Sequence, residues 1–348
     1  MANSPPRLSI CIATRNRATL IGETLDSILA QATDDVELVI VDGASTDGTE
    51  TVLQQYQRRF PNVRYSRLEV NGGVDRDYSR TVELARGEYC WFMTDDDVLK
   101  PSAIQSVLSH MQEGYNLIVV NAENRSADQA TLLASRRLAI DHDRIYRPAE
   151  TEALFIDVGY HLTYIGSVVI QRDLWNARDK KSYWGTWFVH FGVIFQQPLP
   201  GLTLVLAEPL ISGRIGNISW NARSFEIWMF RWPELVWSMP FPDQTKVKIS
   251  PPTPWRNLKA LFVHRGDGSY SPKMYRGWIA PRPAPAGYKL AAQFIAHLPD
   301  CVVWLLLYFY FSRTRAQART ELYHWLHVPP AQKCFGALAR TQAKRLAA

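Results

Sequence analysis

Three consecutive carboxylates, Asp95, Asp96 and Asp97, follow the apolar run "EYCWFM" (Glu88 to Met93). Like charges placed side by side repel, so such a run is tolerated where it faces water or where a cation sits among it. With no cysteine or histidine nearby, the donors are all oxygen, which favours Mg²⁺ or Mn²⁺ over zinc. A divalent ion held there beside a substrate phosphate would act as a Lewis acid on a departing diphosphate. The competing reading is a solvated acidic turn in which Asp97 caps the helix expected near Pro101.

The elements that must position these groups are legible as alternating strands and helices. "LSICIA" (Leu8 to Ala13), "VELVIVD" (Val36 to Asp42), "VRYSRL" (Val63 to Leu68), "EYCWFM" and "NLIVVN" (Asn116 to Asn121) read as strands. Helical spacing separates them: Leu20, Leu25, Ile28 and Leu29; Val52, Leu53 and Tyr56; Val82, Leu84 and Ala85; Ile104, Val107 and Leu108. Repeated βα units imply an α/β fold with a mainly parallel sheet and helices on both faces. Ligands bind beyond the carboxyl ends of such strands. Thr14, Arg15, Asn16 and Arg17, then Asp42, then Asp95 to Asp97 all follow strand ends, so one rim should carry them. Beyond Asn121 the pattern loosens: "TLLASRRLAI" suggests a strand, "PAETEALFIDVG" a helix and "GSVVI" (Gly166 to Ile170) a strand.

The chain has 348 residues with 47% hydrophobic and 21% charged side chains, a globular composition. Its net charge of +6 is matched by the tail from Ser312 onward, where Arg313, Arg315, Arg319, Lys333, Arg340, Lys344 and Arg345 face one acid, Glu321. The remainder is near neutral, which disfavours nucleic acid as a partner. The eleven apolar residues "CVVWLLLYFYF" (Cys301 to Phe311) are too few to span a bilayer, which takes about twenty. Followed by a basic tail, they read either as an interfacial helix on an anionic membrane or as a core helix. Nine of the twelve tryptophans lie between Trp175 and Trp278, most of them expected to pack helices and a few to line a carbohydrate cleft. Cys11, Cys90, Cys301 and Cys334 form no metal spacing, and a reducing compartment is expected. No charged and then apolar leader is visible at the N-terminus.

In order along the chain, "ICIATRNR", "VIVDGASTDGT", "NGG" (Asn71 to Gly73) and "ARGEYCWFMTDDD" resemble the motif series of the family 2 glycosyltransferases, over roughly Leu8 to Met111. The resemblance implies the GT-A fold, a Rossmann-like sheet, over 1–215, with a nucleotide-binding half at 1–120 and an acceptor-side half at 121–215. A helical, Trp-rich and membrane-proximal region then fills 216–348. It further implies that Thr14, Asn16, Arg17 and Arg76 line the nucleotide pocket, that Asp42 bonds the base, and that Asp95 reaches the ribose or the metal. Asp97 would ligate Mn²⁺ or Mg²⁺, and Asp96 would share the donor site. Asp47 is expected to cap a helix. The chain departs from the family pattern at Ala13, Arg15 and Gly43, where Pro, Tyr and Asp are frequent. The family's catalytic acid is expected near "SYWGTWFVHFGVIFQ" (Ser182 to Gln196), which contains none. His190 is the titratable candidate for the base there, with Asp157, Asp173 and Asp179 as competitors.

"NGGVDRDYSRTVELARGEYCWFMTDDD" and "ARSFEIWMFRWPELVW" (Ala222 to Trp237) resemble the abequosyltransferase-type enzymes of O-antigen assembly. That implies transfer of a 3,6-dideoxyhexose from a CDP-sugar to a lipid-linked oligosaccharide, at the cytoplasmic face of the bacterial inner membrane. The alternatives are a UDP-sugar donor with another polysaccharide acceptor, and an inactive GT-A-like membrane scaffold.

Overall fold

The computed structural model describes residues 5–217, 221–314 and 319–347, so Trp220 and Arg315 lie outside the described residues, as does the side chain of Lys344. It divides into two compact units. The first comprises residues up to Glu123, Ser135–Gly213 and Met239–Thr245; the second comprises Asn124–Ala134, Arg214–Ser238 and the chain from Lys246.

The first unit is built on a mixed sheet. In chain order the strands are β1 (Leu8–Thr14), β2 (Val36–Asp42), β3 (Val63–Arg67), β4 (Tyr89–Met93), β5 (Val98–Leu99), β6 (Leu117–Arg125), β7 (Leu132–Ala134, which belongs to the second unit), β8 (Arg144–Tyr146), β9 (Val168–Gln171) and β10 (Thr203–Arg214). The order is β3-β2-β1-β4-β9-β6-β10-β5, with β7 beside β6 and β8 beside β10. β3, β2, β1 and β4 pair in parallel. β9 runs antiparallel to both β4 and β6, so the "NLIVVN" strand joins an antiparallel half of the sheet. Of "TLLASRRLAI", only Leu132–Ala134 is a strand.

The helices of this unit are α1 (Ile21–Leu29), α2 (Thr49–Arg59), α3 (Val74–Leu84), α4 (Ala103–Met111), α5 (Thr151–Val158), α6 (Arg172–Ala177) and α7 (Val189–Phe195). β1 and β2 are almost wholly buried, as uninterrupted apolar strands covered on both faces must be. Ile21, Leu25 and Ile28 of α1 and Leu53 of α2 fill the layer between helices and sheet. Register sets the rim: Thr14 pairs with Asp42, and Ile12 with Met93.

At the opposite end of the strands, Glu37 is 1% exposed and accepts from the Ser9 hydroxyl (2.7 Å), the Arg86 N–H (2.6 Å) and Arg86 Nε (3.0 Å). Ser9 in turn accepts the Gly87 N–H at 2.9 Å. The "ARG" of the fourth motif therefore locks β1, β2 and β4 together at the end away from the carboxylates. A Cβ on Gly87 would stand 2.7 Å from the Ser9 backbone nitrogen.

The second unit is helical. Its helices are α8 (Ser224–Glu226), α9 (Trp232–Ser238), α10 (Asp243–Ile249, which begins in the first unit), α11 (Leu258–Gly266), α12 (Pro272–Met274), α13 (Ala286–His297), α14 (Asp300–Thr314), α15 (Arg319–Trp325) and α16 (Pro329–Ala347). π-Helical turns occupy Ile227–Arg231 and Tyr275–Ile279. One core gathers Phe225, Phe230, Trp255 and Tyr270. Another gathers Trp304, Trp325, Leu326 and Val328, so the segment after Ser312 folds back as α15 and α16 instead of trailing as a free basic tail. Cys301 and Cys334 are paired across α14 and α16 with Cα atoms 6.1 Å apart, whereas Cys11 and Cys90 are buried free thiols. Sequence spacing did not expose that pair, because only the return of α16 onto α14 brings it together.

Gly87→Ala forces the Ser9 and Leu8 backbone to shift, at a cost of about 1–3 kcal/mol. Urea denaturation should show a lower midpoint, and an unchanged midpoint would mean that the motif's Gly does not hold the strands.

Candidate active site

The rim is assembled from loops stitched to one another. After β1, Asn16 adopts φ +57°, a left-handed geometry that asparagine tolerates. Its N–H donates to Ser45 Oγ (2.9 Å) and its Oδ1 accepts the Thr46 N–H (2.8 Å). The Arg17 N–H donates to Thr49 Oγ1 at 2.8 Å. Asp47 accepts from the Thr49 N–H (2.9 Å) and from the Ala18 N–H (3.2 Å), tying the start of α2 to the β1 loop. Asp42 is fully buried. One oxygen accepts the Ser45 N–H (2.8 Å), and the other accepts the Tyr65 hydroxyl (3.1 Å) with Arg67 Nε 4.0 Å away. In this arrangement Asp42 shapes the 43–45 turn.

The cation among the three carboxylates is Arg17. Its Nε lies 3.2 Å from Asp95 and its terminal nitrogen 3.5 Å from Asp96. Burial works against the charge on Arg17, but the neighbouring carboxylates outweigh it and hold the guanidinium more firmly protonated than usual. Burial raises the Asp95 carboxyl, and Arg17 and Thr14 oppose that rise. Asp97 is turned elsewhere: its Oδ2 accepts from Thr94 Oγ1 (2.6 Å) and the Tyr164 hydroxyl (2.7 Å), and its carbonyl accepts from Thr24 (2.7 Å). Asp97 therefore does not cap α4, whose N-cap is Ser102. The donor chemistry suits a hard divalent ion, yet among the described residues no three such ligands converge.

α3 supplies the neighbouring wall. It opens after Gly73, whose φ of +85° favours glycine. Arg76 lies over the Trp184 ring at 4.9 Å, and the Trp184 indole also reaches Ser79 Oγ at 3.4 Å. Asp75, which sequence reasoning passed over, is buried and accepts three backbone N–H groups, from Gly185 (2.8 Å), Trp187 (2.9 Å) and Val189 (3.0 Å). It thereby fixes the loop before α7, where Trp187 holds a strained φ of +77°. An acid in the first turn after a Gly-Gly pair was the available signal. Tyr164 was also missed, and only the tertiary fold brings it to Asp97.

His190 lies in the first turn of α7 but is 1% exposed, with Nε2 2.6 Å from the Leu162 carbonyl, and burial pulls its pKa down to about 4. A ring so enclosed has no opening toward a reacting hydroxyl. The competing acids are committed too. Asp157 accepts from Tyr146 (2.7 Å), and Asp179 accepts the Lys181 N–H (2.9 Å). Asp173 follows Gln171, which pairs with Tyr89 at the end of β4 away from Asp95.

Asp77 is buried beside Asp42, with its Oδ1 lacking a hydrogen-bond partner. Burial pushes its carboxyl up to about 6; the Gly72 N–H opposes this, Asp42 adds to it, and Arg15 opposes it. The folded state thus holds this proton more tightly than the unfolded chain, whose Asp titrates near ~4. Stability from this group is present below that value and is lost as the pH rises toward about 6. Asp77→Asn should flatten the slope, read as urea midpoints at about pH 4.5 and pH 7. An undiminished slope would place the titrating group elsewhere.

Residues 9–170 match the family model described as glycosyl transferase family 2. The abequosyltransferase RfbV of Salmonella typhimurium (strain LT2) is 28% identical over 231 residues, covering 62% of this chain and 69% of that protein. The putative teichuronic acid biosynthesis glycosyltransferase TuaG of Bacillus subtilis is 34% identical over 113 residues, 32% of this chain and 45% of its own length. Among solved structures, residues 1–349 of S. aureus TarS in complex with UDP superpose with a TM-score of 0.55 at 16% identity, covering 97% of this chain and 92% of that one. At that identity the likeness establishes the GT-A-like fold. Over residues 9–170, this chain is therefore similar to the proteins of glycosyl transferase family 2.

Proposed function

We propose that this chain transfers a sugar from a nucleoside-diphosphate donor to a growing bacterial cell-surface polysaccharide. The observation that carries the reading is the common rim, where the loops after β1 and β2 meet Asp95, Asp96 and Asp97 in a domain similar to those of this family. Thr14, Asn16, Arg17 and Arg76 line the nucleotide side, with Asp42 and the turn that it holds beneath the base. Asp95 and Asp97 would hold Mn²⁺ or Mg²⁺, and such an ion, when bound, supplies neutralisation of the leaving diphosphate. His190 serves as a positioning residue at the head of α7, and Asp75 holds the loop in front of it.

The favoured donor is a CDP-linked 3,6-dideoxyhexose, supported by the abequosyltransferase relative and by the motifs shared with that subgroup. A UDP-sugar is the alternative, supported by the UDP complex of a neighbour with the same fold. Calorimetric titration of CDP, UDP, GDP and dTDP, each with and without Mn²⁺, decides between them. Metal-dependent binding of CDP alone is expected, and Asp97→Asn should abolish the metal dependence. Preference for UDP would remove the dideoxyhexose assignment, and no binding at all would favour an inactive scaffold.

The acceptor is proposed to be a lipid-linked oligosaccharide, met at the cytoplasmic face of the inner membrane. Among the described residues no single helix is long and apolar enough to cross a membrane; α13 and α14 form a pair bent by 96°. Both pack on α11. Away from it, Leu290 and Phe294 on α13 and Val302, Leu306, Phe309 and Tyr310 on α14 are exposed, at helical spacing. Val303, Trp304, Leu307 and Tyr308 fill the inner side of α14, so it combines the two readings of its sequence, core on one face and apolar surface on the other. Exposed Arg313 continues the outer face at head-group level. Truncation at Ser312 would strip Trp325 and Leu326 from the core, so point changes are the better test. Leu290→Glu, Phe294→Glu and Leu306→Glu together should release the protein from anionic liposomes in a flotation assay. Equal flotation of the variant and the parent would refute membrane contact by this face.

A further inference from the structure

A divalent ion is expected where a cation already sits. Arg17 satisfies Asp95 Oδ1 and lies against Asp96 Oδ2, and its side chain is 16% exposed. Its backbone is not free to follow it. The Arg17 N–H is bonded to Thr49, the Arg17 carbonyl accepts from both Leu20 and Ile21 at 3.0 Å, and the preceding Asn16 is fixed by Ser45 and Thr46. Only the side chain can leave, and with four rotatable bonds it can swing out while the loop stays in place.

A guanidinium and a divalent ion cannot both take the same carboxylate oxygens, since at contact distance they repel and duplicate one another's role. An arginine displaced from two carboxylates needs another anion, and a diphosphate matches its planar fork. We propose that Arg17 is an exchangeable internal counter-ion: it neutralises Asp95 and Asp96 in the donor-free protein, yields Asp95 to the metal that Asp97 also holds, and takes the donor's diphosphate as its new partner. This rests on the reading of the rim as a metal and nucleotide site, and it goes beyond it by assigning an order of preference among three charges. Metal alone must break the Arg17 pairs with Asp95 and Asp96, whereas metal and nucleotide together replace them with a diphosphate contact. The two ligands therefore favour one another's binding by the same factor.

The test is binding of Mn²⁺ alone, followed by the free-ion EPR signal, to the parent protein, Arg17→Met and Arg17→Lys, with thermal melts to verify the fold. Arg17→Met should bind Mn²⁺ about 10-fold or more tighter than the parent, and Arg17→Lys should lie between them. Adding CDP or UDP should tighten Mn²⁺ binding to the parent by about 10-fold or more, and to Arg17→Met by less. Unchanged or weaker Mn²⁺ binding by Arg17→Met overturns the proposal. Should that variant not fold, an absence of gain in Arg17→Lys overturns it equally. If Arg17→Met gains Mn²⁺ affinity while no nucleoside diphosphate binds the parent, the counter-ion role stands and the donor-site reading fails, so the two are told apart.

Discussion

The central constraint in the first unit is the double pairing of β1. From Leu8 it runs in register with Val36 on one side and Tyr89 on the other. Because all three strands point the same way, everything that follows their ends lies at one edge of the sheet. The Glu37, Ser9 and Arg86 cluster fixes the far end of those strands, and slippage by a single residue would turn their side chains to the other face. The acidic rim is thus a consequence of a lock built at the opposite end.

What gathers at that edge is a concentration of negative charge that the fold balances within itself. Asp95 and Asp96 are met by Arg17, Asp97 by two hydroxyls, and Asp42 by a backbone N–H, a tyrosine and, at 4.0 Å, Arg67. Hydroxyls and N–H groups stabilise a carboxylate where it stands, but they carry no net charge to offset it. An incoming cation would act on the same balance. Ligand recognition and the electrostatic stability of the folded state are two aspects of one balance.

The parallel half of this architecture was readable from the sequence because its signals are local: apolar runs at strand length, helical spacing between them, and motifs at strand ends. The antiparallel half was not, because the direction of β6 and β9 depends on partners more than forty residues apart. The same limit applied to side chains. Asp95, Asp96 and Asp97 announce themselves by type, whereas Tyr164 becomes a neighbour of Asp97 only across 67 positions. Asp75 looked like an ordinary acid in a helical first turn, and its three N–H partners lie more than a hundred residues away. His190 had the right chemistry for a base, but burial is a tertiary property that composition does not carry. The C-terminal segment was read from its charge, while its aromatic residues decided its fate by packing Trp304 against Phe335 and Phe311 against Trp325.

The glycines that flank Asp77 make this corner of the rim a matter of shared volume. A Cβ on Gly43 would stand 2.6 Å from one Asp77 oxygen, and a Cβ on Gly72 would stand 2.7 Å from the other. A side chain at 43, where the family frequently carries Asp, and a carboxylate lodged at 77 are therefore alternatives for the same space. In this chain, a side chain placed at 43 requires the Asp77 carboxylate to move. Grafting either residue singly between this chain and a relative would import half of a pair.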